Sequence, residues 1–71
     1  KMRLYFPFET IQLYVYEHSG GIVSNEEIIN HGILSEYSSM NWINVDIPVS
    51  ASHVGIVTIA NGLQSKRLLS V

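Results

Sequence analysis

The sequence predicts a small α+β domain: a mostly antiparallel sheet carrying one short helix. Three observations support this. Apolar and polar residues alternate in several short stretches, which is the period of half-buried strands. Ser24-Asn25-Glu26-Glu27 has the spacing of a helix start. Asn61-Gly62, between two strand-like stretches, marks a tight hairpin. The alternative is a small all-β barrel or sandwich in which the helix is only a turn. At 71 residues, a single domain is expected.

The elements follow in chain order. Met2, Leu4, Phe6 and Phe8 fall on one side of the first stretch, and Lys1, Arg3 and Tyr5 on the other. Pro7 cannot donate to a ladder, so this strand bends, ends or lies at an edge there. Ile11, Leu13 and Val15 form one face of a second strand that reaches Glu17, with Gln12, Tyr14 and Tyr16 opposite. His18-Ser19-Gly20-Gly21 reads as a turn, because paired glycines permit positive φ.

A helix is expected from about Asn25 to His31. The Ser24 hydroxyl can accept from the Glu27 amide, and the Glu27 carboxylate can reach back to the Ser24 amide. Glu26 and Glu27 suit the positive end of the helix dipole, and His31 suits the other end. Gly32 is placed as the residue that stops the helix. Ile33, Leu34 and Tyr37 are expected to add an irregular turn, and Ser35 to Asn41 to be loop.

Trp42 to Val49 alternates again, with Ile43, Val45, Ile47 and Val49 on one face and Pro48 marking an edge. Ser50-Ala51-Ser52 is a short connection. His53 to Ala60 is almost wholly apolar, so it needs cover on both faces or a place in an interface. A two-residue loop at Asn61-Gly62 pairs Ala60 with Leu63, Thr58 with Ser65, Ile56 with Arg67 and Val54 with Leu69. The last strand then runs from Leu63 to Val71. The expected order is strand, strand, short helix, strand, strand, strand.

Charge is distributed unevenly. Lys1, Arg3, Lys66 and Arg67 are the cationic residues, and all six carboxylates lie between them. Met2 reads as a natural start, which would leave Lys1 outside the native chain. If the two ends meet in space, the fold has one basic edge and an acidic remainder. Charged residues make up 14% of the chain, against about 25% in ordinary soluble domains, so copies repel one another weakly. Cysteine is absent. Disulfides and thiolate metal sites are therefore excluded, and a cytoplasmic location is the expectation. No apolar run approaches the ~18 residues needed to cross a bilayer. No signal-like segment is seen, so no membrane role is expected.

These features point to a non-enzymatic protein–protein interaction module that self-associates as a homo-oligomer or binds another protein. A small domain with no disulfide or metal often completes its burial through a partner. An inhibitor, an accessory protein or an assembly subunit would each fit. The expected apolar contact surface is Val54, Ile56, Val57 and Ile59, with Tyr14, Tyr16 and Trp42 as contact aromatics. If the chain itself shields the His53–Ala60 segment, this ground for docking fails and the functional reading drawn from it falls too.

The second reading is an anion site at Arg3, Lys66 and Arg67 that takes single-stranded nucleic acid, beside Tyr5, Phe6 and Tyr14, or another anionic ligand. So few cations neutralise few phosphates. Asp46, His53, Ser50 and Ser52 invite a hydrolase reading, but no nucleophile elbow is present. Glu27 and His31, with His18 or Glu17, match no familiar metal motif. No catalytic residue, metal or cofactor is expected.

Overall fold

The computed structural model describes residues 2–38, 41–47 and 52–70. Lys1, Pro48, Val49, Ser50 and Val71, on which some of the expectations fall, lie outside the described residues. In chain order the elements are β1 (Met2–Phe6), β2 (Ile11–His18), α1 (Asn25–His31), β3 (Ile33–Tyr37), β4 (Asn41–Val45), β5 (His53–Ala60) and β6 (Leu63–Ser70). The fold is α+β, as expected, and both of its sheets are antiparallel. Neither sheet closes on itself among the described residues, which removes the barrel alternative.

The larger sheet has the order β3-β2-β5-β6, and β1 pairs with β4 in a separate two-stranded ribbon. The ribbon packs on one face of the larger sheet. Leu4, Phe6, Ile43 and Val45 from the ribbon join Ile11, Leu13, Val15, Val54, Ile56 and Ala60 in one buried cluster. On the other face, α1 and its approach lie over Tyr14, Tyr16, Val57 and Ile59, with Val23, Ile28 and Val57 buried. The two faces are called the ribbon face and the helix face below. Both tight turns use positive φ as predicted: Gly20 and Gly21 after β2, and Asn61 (φ 53°) with Gly62 (φ 77°) in the hairpin.

One expectation about the strands is corrected. The segment placed as an irregular turn and loop contains the strand β3, antiparallel to β2 with Val15 opposite Ile33 and Ile11 opposite Tyr37. β4 does not pair with β5, the next strand in the chain. It pairs with β1, Tyr5 opposite Trp42, because Ile43 and Val45 complete the ribbon's buried face beside Leu4 and Phe6. Gly32 does end the helix, but in an extended conformation (φ −77°) rather than a left-handed one. The need for glycine there is space. A Cβ would collide with the Ile28 carbonyl oxygen and stand 3.0 Å from that of Val15.

Candidate functional site

The expected apolar contact surface is corrected outright. Val54, Ile56 and Val57 are buried by the chain itself, and Ile59 packs half-buried against the helix-face cluster. β5 sits between β2 and β6 with the ribbon on one face and α1 on the other. Its apolar run therefore reflects two-sided cover within one copy, and Val54, Ile56 and Val57 are unavailable for contact.

Tyr14 and Tyr16 are half-buried on the helix face, where they roof the small cluster. The Tyr16 hydroxyl donates to the Glu27 carboxylate, which raises its pKa above 10.0; desolvation and the Glu27 charge push the same way. Its ring stacks on His18, with centroids 6.3 Å apart and planes within 8°, and meets His31 at 6.2 Å. His18 lies 5.7 Å from His53, its cross-strand partner. The His18 Nδ1 accepts from the Gly20 amide at 3.2 Å, so the neutral ring carries its proton on Nε2, which is buried with no partner. No group of three or more His, Cys, Asp or Glu side chains among the described residues is placed to hold a metal ion.

Trp42 is exposed on the outer side of the ribbon, 5.3 Å from Tyr5, with the Arg3 guanidinium 4.9 Å above its ring. The cations expected to converge do not. Arg3 lies on that outer ribbon surface. Arg67 lines a groove between the sheets with Leu4, Phe6 and Ser65. Lys66 reaches across the helix face and donates to the Val23 carbonyl at 3.0 Å. Side chains alternate along β6, so neighbours in sequence point to opposite faces and no single anion site forms. Asp46 and His53 are separated in the same way. Asp46 lines a groove of about 390 Å³ on the ribbon face, whereas His53 is on the helix face beside its own neighbour Ser52, at 3.1 Å.

The two outer edges of the larger sheet were not recognised from sequence. No described strand pairs with the free side of β3 or of β6. Large aliphatics stand exposed on both: Ile33 (69%) and Leu34 (45%) on β3, Leu63 (73%) and Leu68 (40%) on β6. The β3 edge carries Glu36 and the β6 edge carries Lys66 and Arg67. Neither strand contains proline, and both registers run without a bulge, so two common guards of an edge are missing. The single signal in the sequence was the β6 stretch itself, where aliphatics flank a cation pair.

In comparison with known proteins, the chain matches no family model, no curated protein and no solved structure. No helix among the described residues is long and apolar enough to cross a membrane.

Proposed function

We propose that the chain is a non-enzymatic interaction module that associates with copies of itself through the open edges of its larger sheet. The observation that carries this reading is the pair of edges without proline or bulge, with exposed aliphatics and charges of opposite sign. An uncovered strand presents a row of free backbone donors and acceptors, which pair readily with another strand. Low surface charge favours such contacts, and the lack of cysteine is consistent with a cytoplasmic setting.

Nucleic-acid binding is the weaker reading, because Arg3, Lys66 and Arg67 are placed apart. Sedimentation over a range of protein concentrations, in low and high salt, tests the proposal. A mass that grows with concentration is expected. A single monomeric species throughout would overturn it.

A further inference from the structure

We infer that copies join edge to edge into one continuous antiparallel sheet, the β3 edge of one copy pairing with the β6 edge of the next and Glu36 standing opposite Lys66. This rests on the self-association reading and gives it a partner surface and a register.

Strand direction permits the contact. Every pairing in the larger sheet is antiparallel, so β2 and β6 run one way and β3 and β5 the other. A second copy laid beside the first with matching faces therefore brings its β6 antiparallel to β3.

The backbone narrows the register. A two-residue hairpin loop closes on a hydrogen-bonded pair, here Ala60 and Leu63. Bonded and non-bonded pairs alternate along an antiparallel ladder. Even-numbered residues of β6 thus turn their N–H and C=O groups outward. Carried through the β5–β2 and β2–β3 registers, the same alternation makes Leu34 and Glu36 the outward-bonding residues of β3. An intercopy ladder must join even positions to even positions, and the side chains of all these residues lie on the helix face.

Side-chain chemistry then selects one of the remaining registers. Setting Glu36 against Lys66 also sets Leu34 against Leu68 and Ile33 against Leu69, so acid meets cation and aliphatic meets aliphatic. The Lys66 ammonium already lies on the helix face, and its bond to the Val23 carbonyl leaves two donors for a carboxylate. The two-fold β6–β6 alternative is worse matched. A fully overlapped β6–β6 pair places Lys66 against Lys66 or Arg67 against Arg67, and like charges directly opposite destabilise a sheet. The β3–β6 contact is heterologous, so it repeats, closing into a ring if the rotation allows and otherwise growing as a fibre.

Charge reversal tests the register. Glu36→Lys alone and Lys66→Glu alone each put like charges in every contact. Both side chains are exposed, so each variant should fold, as circular dichroism would verify. Each is expected to associate about tenfold or more weakly than wild type, as for truncated interfacial charge pairs. An equimolar mixture of the two should recover association, because every mixed contact is again acid against cation.

Oxidation of a mixture of Ser35→Cys and Arg67→Cys chains should yield the mixed disulfide dimer, since this register makes 35 and 67 close non-hydrogen-bonded partners. If wild type oligomerises but the charge variants associate unchanged, or the mixture fails to recover, the register is wrong while the self-association reading stands. A mixture giving only like-with-like dimers would also overturn the register. A monomeric wild type would remove both.

Discussion

The two faces of the larger sheet are closed by different devices. On the ribbon face, residues from β1 and β4 meet β2 and β5 in one continuous buried cluster, with Leu13 and Val54 wholly buried. On the helix face, closure depends on very little. α1 spans seven residues, and its contact with the sheet centres on Ile28, which fits against Gly55 of β5. An isolated helix of that length is unstable in water, so α1 exists because Ile28 docks it. Both faces are nonetheless sealed by the chain's own residues. Among the described residues, what remains open on the larger sheet is its pair of edges, which is why the functional reading is placed there and not on the apolar run of β5.

If the faces differ in this way, Ile56→Ala should do the most damage. It empties the ribbon-face cluster and should cost about 2–5 kcal/mol, read as a lower denaturation midpoint with all strands lost together. Ile28→Ala should cost toward the bottom of that range, about 2 kcal/mol, because the helix can settle inward. Its amides should lose hydrogen-exchange protection while those of β2 and β5 keep theirs. Equal, fully cooperative loss from both substitutions would show that the two faces form one unit.

Gly55→Ala tests the dock from the other side. A Cβ there would stand 2.7 Å from Ile28 Cδ1 and 3.3 Å from Leu68 Cδ2. The overpacking should cost roughly 1–3 kcal/mol. Ile28→Val removes the crowding methyl, so Gly55→Ala should cost clearly less in that background, and a double-mutant cycle measures the difference. An unchanged cost would mean that Ile28 is not what Gly55 accommodates.

Local signals in the sequence led to correct local structure. Ser24 and Glu27 delimited α1, Asn61-Gly62 set the hairpin and its register, and alternation marked β1 and β2. β3 escaped because it is an edge strand with one neighbour. Ile33 and Leu34 are adjacent in sequence and both exposed, so the stretch has no buried period to detect. The β1–β4 pairing escaped for a different reason: partners some forty residues apart look like any two alternating stretches. The site was unreadable for the same cause. An edge is defined by strand order, and no residue of β6 reports that nothing lies beyond it. β5 announced two-sided burial clearly, but composition does not say whether the cover comes from the same copy or another.

A smaller effect is expected at the helix start. The Ser24 hydroxyl accepts from the Glu27 amide at 3.1 Å, and Ser24→Ala should cost about 1 kcal/mol. Because α1 belongs to the helix face, that loss should appear in the helix amides and leave the ribbon-face strands protected. A uniform loss of protection would count against the division between the faces.

The smallest expected effect is a pH dependence confined to the helix face. The Glu27 carboxylate accepts from the Tyr16 hydroxyl, and this bond, then desolvation, then the Glu27 charge, raise the phenol above 10.0. A raised pKa means the folded state favours the neutral phenol. Its contribution is complete below pH 10 and is lost as pH rises through the folded value. The phenolate absorbance of wild type, less that of Tyr16→Phe, should therefore rise only above 10, with helix protection falling in the same interval. Glu27→Gln removes the charge and should bring the titration back down toward 10. A Tyr16 that ionises at 10 or below in the wild type would mean that β2 and α1 are not joined by this bond, leaving Ile28 as the main tie holding the helix to the sheet.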